Sequence, residues 1–395
     1  IGNDQPGQPG IDHGYIQFGA QRIDQRVPAA VNKDYLITCS SWLDAQNGVD
    51  LRNNCELFGL NPKRRFITTS RDLATYVHDD ALYQAYLNAC LILLSMGTPF
   101  DPSFAQLSGQ RRSYLDGLND PTGVLKGLEG QERDAGGFAL WGGPHILTLV
   151  TEVATRALKA VRYQKFNNHI RLRPEALAGR VEKADQIAEH FPCAKEFQEL
   201  EKDLHSTVKE IRASNKAAGA TNDDGEGTAF LPMAFQEGSP MHPSYGAGHA
   251  TVAGACVTIL KAFFDTDTLF VCREEKEVPC GETEKRTVLK RLFAQPKKGD
   301  TPIAYVPDST GEKLEQVKNA PCLTLEGELN KLAANISIGR NMGGVHYYSD
   351  YYDSLRMGEE IAIGMLEEQS LCYQTDPFVL TVPTFDGDVV RIGAR

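Results

Sequence analysis

The chain has 395 residues, 41% hydrophobic and 24% charged, as in a soluble globular protein with a substantial core in one large domain or two to three ordinary ones. A formal net charge of -11 and a pI near 5.4 leave no basic stripe for a nucleic-acid partner. The longest apolar run, around Leu87 to Met96, is interrupted by Asn88 and too short to span a membrane.

Residues 1 to about 40, rich in Gly, Pro, Asp and Gln, read as an extended N-terminal arm, and 41–395 as one helical domain. Ile1 in place of Met reads as the start of a mature or trimmed chain, in keeping with a secreted or cell-wall protein. The pattern turns helical from Asp79. Over 144–165, Ile146, Val150, Ala154, Leu158 and Val161 recur at steps of three and four, which predicts an amphipathic helix. Lys165 continues that stripe and is expected to point inward, while Pro174 is expected to end the regular segment. Residues 181–215 read as exposed charged helix, Gly219–Gly227 as a loop, and a further helix begins near Ala250, where Ala253, Gly254 and Ala255 allow close helix contact.

The segment 265–320 mixes charge, Pro, Gly and Cys and reads as a surface insertion, with Cys272, Cys280 and Cys322 suited to a disulfide staple. Cys90 and Cys256 lie on apolar helical faces as buried thiols. The next helix, 325–341, puts Leu329, Ala333, Ile336 and Arg340 on one face, so this arginine is also directed inward. Its sequon at Asn335 is expected to go unused. Gly343-Gly344 breaks that helix, another starts near His346 and runs to about Gln369, and Phe378 to Ile392 alternates around Asp386-Gly387 as a hairpin. The expected class is mainly α, in helical bundles, with a small C-terminal β-hairpin.

Three segments concentrate chemistry: Lys165 with Arg173-Pro174, His242-Pro-Ser-Tyr-Gly-Ala-Gly-His249, and Arg340 with His346. The loop Gly246-Ala247-Gly248 leads into a helix, whose first N–H groups suit an anion, and glycine lets a ligand approach the backbone. Lys165, Arg173 and Arg340 add three fixed positive charges for an oxyanion. Asp350, one turn after His346, is placed to set that ring's tautomer.

A Lys followed eight residues later by Arg-Pro, then His-Pro-Ser-Tyr-Gly-x-Gly-His, then Arg with His six residues on, resembles the vanadium-dependent haloperoxidases, above all the red-algal type of algal bromoperoxidase. Gly142-Gly-Pro-His-Ile146, Leu231-Pro-Met-Ala-Phe-Gln-Glu-Gly-Ser-Pro240 and Leu325-Glu-Gly-Glu-Leu-Asn-Lys331 share the likeness, which extends over roughly 75–395. The resemblance implies a helical-bundle fold shared with acid phosphatases, a vanadate cofactor, hydrogen peroxide with bromide or iodide as reactants, small organic acceptors and a homo-oligomer. It implies that His346 is the metal ligand, and that Lys165, Arg173, Arg340 and the backbone of Gly248 hold the equatorial oxygens. His249 would be the acid/base, Lys165 would polarise peroxide, and His242 would be the second distal histidine of a bromoperoxidase-type site.

Arg162 is either a halide-side residue or a surface arginine. Asp101 is either the carboxylate that orients His249 or a turn residue, and Glu129–Gly137 is either a calcium loop or a solvated one. Ala247 departs from the family, which has serine there; the missing hydroxyl removes one hydrogen bond worth roughly 1.5–3 kcal/mol to an anion. Two rivals remain open: an acid phosphatase of the same superfamily and a catalytically silent anion-binding protein.

Overall fold

The computed structural model describes residues 14–52, 62–103, 141–276, 287–373 and 378–393. Among these, the helices are α1 (Cys39–Gln46), α2 (Ser70–Tyr76), α3 (Gln84–Met96), α4 (Gly143–Tyr163), α5 (Pro174–Glu182), α6 (Ala184–His190), α7 (Lys195–Asp203), α8 (His205–Ala217), α9 (Gly248–Phe263), α10 (Leu325–Met342) and α11 (Tyr348–Ser370). The chain is mainly α, as its periodicity predicts.

Helix α9 organises the core because it has no polar face: every residue from Ala250 to Phe263 is buried. A helix with so little polar surface belongs inside, its one buried charge, Lys261, lying 3.5 Å from Glu359, and α4, α10 and α11 pack around it. Small residues set the closest crossing. A Cβ on Gly254 would lie 2.0 Å from the Leu355 carbonyl oxygen, and one on Gly358 2.0 Å from that of Thr251, so backbone meets backbone between α9 and α11. The stripe of α4 is buried at Ile146, Val150, Ala154 and Val161. That helix closes in a π turn, Gln164–Asn168, which carries Lys165 inward.

Pro174 starts a helix instead of ending one. The helical run closes at Asn168, and Pro174 is the first residue of α5, where a missing N–H breaks no helical hydrogen bond.

The strands are β1 (Tyr15–Phe18), β2 (Gln21–Asp24), β3 (Val27–Pro28), β4 (Arg64–Arg65), β5 (Leu269–Lys276), β6 (Thr287–Ala294), β7 (Thr301–Pro302), β8 (Tyr305–Pro307), β9 (Leu314–Gln316), β10 (Val379–Pro383) and β11 (Val389–Gly393). From residue 14 on, the expected arm is structured: β1 and β2 form a hairpin with Ile16 buried, and β3 pairs with β4. Segment 265–320 builds a sheet of order β6-β5-β7 and the pair β8-β9. Phe270, Phe293 and Ile303 from it join the main core, so it is more than a surface insertion. Cys272 and Cys322 are free thiols and form no staple, while Cys280 lies outside the described residues. Cys90 and Cys256 are buried and free. The C-terminal hairpin forms in register Leu380 to Ile392 and Val382 to Val390. Among the described residues no helix is long and apolar enough to cross a membrane.

Candidate active site

Each of the three motif segments ends at a helix boundary, and the boundaries meet. Lys165 rides the π turn and is 4% exposed; its Nζ donates to the carbonyls of Pro243 (2.8 Å) and Ser244 (3.1 Å). Arg173, the residue before α5, is 6% exposed and reaches both other segments. Its Nε donates to the His242 carbonyl (2.9 Å), its Nη1 to the Val345 carbonyl (2.7 Å), and Nη1 also lies 3.1 Å from His346 Nε2. Arg340, in the last turn of α10 and 6% exposed, donates from Nη1 to the Val77 carbonyl (2.7 Å).

The histidines are held by acceptors and cations of fixed sense. His346 Nδ1 lies 3.0 Å from Asp350 Oδ2; donating there, the ring keeps the Nε2 lone pair directed toward Arg173 and the pocket. Asp350 also accepts from Tyr347 N (3.1 Å) and from the Ser244 hydroxyl, so it caps α11 and orients His346 at once. His249 Nε2 pairs with Asp80 Oδ1 at 2.8 Å. His242 Nδ1 accepts from Arg173 Nη2 (2.9 Å), since a guanidinium only donates.

In the loop between them, a Cβ on Gly246 would lie 2.6 Å from Ser354 Oγ, and that hydroxyl accepts from Ala247 N (2.9 Å). Gly248 opens α9 with Leu82 and Leu158 3.8 Å from where a Cβ would stand, an uncrowded approach to free helix N–H groups. Ala247 itself is buried within the apolar core.

Electrostatically the cluster is short of negative charge. Burial, then Arg173, pulls the Lys165 ammonium down to about 7. Burial, reinforced by Arg340, lowers Arg173 to about 10, and burial lowers Arg340 to about 10. Burial, then Arg173, brings His242 to about 4; burial lowers His249 and His346 despite their carboxylate partners. On Asp350 burial acts upward, but bonds from His346, Ser244 and Tyr347 N outweigh it and hold the carboxylate ionised.

Among the described residues, no carboxylate pairs directly with Lys165, Arg173 or Arg340, and Arg340 Nε is buried without a hydrogen-bond partner. Three buried cations, one orphan N–H and one imidazole lone pair fit a compact oxyanion such as vanadate. Lys165, Arg173, Arg340 and the α9 N-terminus are its candidate holders, and His346 Nε2 its candidate metal ligand.

Two expected residues sit elsewhere. Asp101 does not orient His249: it accepts from Ser103 N (2.8 Å) as a turn aspartate, while Asp80 holds the histidine. Arg162 is exposed on the last turn of α4. The calcium candidate Glu129–Gly137 lies outside the described residues. Sequence reasoning missed Asp80 and Arg171. The only signal for Asp80 was an acidic pair, Asp79-Asp80, ahead of α3; for Arg171 it was a place two residues from Arg173 in an extended segment.

The family described as VCPO second helical-bundle domain matches residues 204–374. The vanadium-dependent bromoperoxidases of Corallina pilulifera and Corallina officinalis are each 43% identical over 96% of this chain and 55% of their own length. That of Ascophyllum nodosum is 31% identical over 92% of the chain and 54% of its own length. The chain therefore spans about half the length of the curated relatives it matches. The solved structure of the homohexameric second vanadate-dependent bromoperoxidase of A. nodosum has the same fold, with a TM-score of 0.65 at 22% identity, over 97% of this chain and 58% of that one. By sequence likeness across nearly all of its residues, the chain belongs to the vanadium haloperoxidase family.

Proposed function

We propose that this chain is a vanadate-dependent bromoperoxidase, which oxidises bromide and iodide with hydrogen peroxide to a hypohalous-acid equivalent that halogenates small organic acceptors. The observation that carries the reading is the His346 ring: Nδ1 is tied to Asp350, and the Nε2 lone pair faces the Arg173 guanidinium at 3.1 Å, in a cluster with buried Lys165 and Arg340. Bound vanadate would supply Lewis acidity without a change of oxidation state. The chain's own residues do the rest. Lys165, Arg173 and Arg340 neutralise the anion. His346 keeps one tautomer because Asp350 accepts a hydrogen bond from its Nδ1–H. His249, backed by Asp80 on Nε2, keeps a second ring nitrogen to accept and return a proton when peroxide enters. His242, held neutral by burial and then by its cationic neighbours, fixes Arg173 through ring and carbonyl. That the relatives are bromoperoxidases supports bromide as the halide, and the homohexameric assembly of the solved homologue supports a homo-oligomer.

The test is vanadate titration of the purified apo-protein, with bromination of a phenol-type acceptor and phosphate-ester hydrolysis measured on the same preparation. Bromination that needs vanadate, and is lost together with vanadate binding in His346→Ala, is the expected result. Phosphatase activity that vanadate inhibits, without bromination, would establish the phosphatase alternative instead. Vanadate binding with neither activity would establish a silent anion-binding protein.

A further inference from the structure

Arg171 lies outside the cluster of cations that faces the pocket, yet it ties the first motif segment to the glycine loop and to the His346 segment. Its backbone carbonyl accepts from Ser244 N (2.9 Å) in the glycine loop. Its Nη1 donates to Asp350 Oδ1 (2.6 Å) and to Ser349 Oγ (2.9 Å) at the start of α11. Its guanidinium lies 5.0 Å from the Tyr245 ring centre and 5.6 Å from that of Tyr347, one ring from each of those segments. Arg171 and Arg173 are two apart in an extended stretch; Arg173 reaches His346 from the pocket side, and Arg171 reaches the carboxylate behind it.

The two oxygens of Asp350 divide their work. Oδ2 takes His346 Nδ1, the Ser244 hydroxyl and Tyr347 N. Arg171 is the partner of Oδ1, on a side chain that is 0% exposed. Without Arg171, one oxygen of a buried carboxylate loses its charged donor, and Asp350 recovers one only by turning, at the expense of its bond to His346 Nδ1. A turned Asp350 no longer fixes where the His346 lone pair points.

We infer that Arg171 is a positioning residue for the vanadate ligand: by anchoring Asp350 it fixes the ring orientation and tautomer of His346, and so the affinity for vanadate. This inference rests on the family reading of His346 as the ligand, and extends it to a residue that touches neither anion nor reactants.

The test uses the full chain with vanadate itself as the probe. Arg171→Met keeps the length of the stem and removes the donor; Arg171→Lys keeps a donor. In Arg171→Met, vanadate should bind about tenfold more weakly by titration of the folded apo-protein, and imidazole 15N shifts of His346 should lose the single-tautomer pattern. Arg171→Lys should restore most of the affinity. In an Asp350→Asn background, Arg171→Met should have little further effect, because the two act through one bond. A folded Arg171→Met protein with wild-type vanadate affinity and unchanged His346 shifts would overturn the inference, as would additive losses in the double variant. If wild type binds vanadate without oxidising bromide, the bromoperoxidase reading fails while the affinity and tautomer readouts still judge Arg171.

Discussion

Replacing Lys165 by Met should stabilise the ligand-free protein in mildly acid solution, although it removes a residue proposed to hold the anion. Burial beside Arg173 lowers Lys165 from its ordinary 10.5 to about 7. At 1.36 kcal/mol per tenfold change, the charged side chain costs the folded state about 5 kcal/mol. The sign follows from proton counts. Between about 7 and 10.5 the unfolded chain holds a proton that the folded chain has released, so stability rises with pH across that window, and below 7 the full cost is present. Methionine removes the cost but also removes two bonds, to Pro243 O and Ser244 O, at about 1 kcal/mol each. The net gain is about 3 kcal/mol at pH 6 and falls to about zero by pH 9, where most of the cost has already gone. Denaturant unfolding of both proteins at pH 6 and pH 9, with and without vanadate, measures it. Vanadate should stabilise wild type far more than the variant. A variant no more stable relative to wild type at pH 6 than at pH 9 would refute the view that Lys165 is a buried cation awaiting an anion.

Three more outcomes follow from single contacts. Asp80→Asn keeps a hydrogen-bond partner for His249 Nε2 but removes the charge, so turnover should fall at least about tenfold while vanadate affinity stays within about threefold; equal losses in both would make Asp80 part of the anion site. Gly358→Ala drives a Cβ to 2.0 Å from the Thr251 carbonyl oxygen, so unfolding should cost about 3 kcal/mol less or the protein should not fold; a loss under about 0.5 kcal/mol in denaturant midpoint would show that α9 and α11 part easily. Ala247→Ser buries a hydroxyl that lacks a partner until an anion arrives, so vanadate should bind about tenfold tighter with undiminished bromide turnover at saturation; unchanged affinity would mean the hydroxyl faces the apolar core.

What the sequence disclosed and what it hid divide along chain distance. Lys165 was legible because it falls four residues after Val161 on a periodic stripe, and Arg340 because it falls four after Ile336. Asp350 was legible because it falls four residues after His346, the spacing of one helical turn, although α11 itself opens only at Tyr348. Asp80 reaches His249 from 169 residues away, and Arg171 reaches Asp350 from 179, so no local period marks either. Asp101 drew attention through its Gly-Thr-Pro-Phe-Asp-Pro turn, and the structure leaves it in that turn, bonded to Ser103. The sheet of 269–302 escaped notice because Arg273, Glu274 and Glu275 interrupt the alternation that Leu269, Phe270 and Val271 begin.

The allocation of carboxylates explains how so acidic a chain sustains an anion site. Two carboxylates beside the cations are both bonded to histidines, Asp80 to His249 and Asp350 to His346. Had either turned to Lys165 or Arg173, the pair would be neutral, the apo-protein more stable, and the pocket useless to an oxyanion. As built, the acids set imidazole tautomers and leave the ammonium and guanidinium groups uncancelled. The net charge of -11 does not offset this, because its exposed carboxylates act through water and salt over more than a Debye length, whereas the three cations are buried together, away from that screening. Local pairing, not the charge of the whole molecule, decides what this pocket can hold.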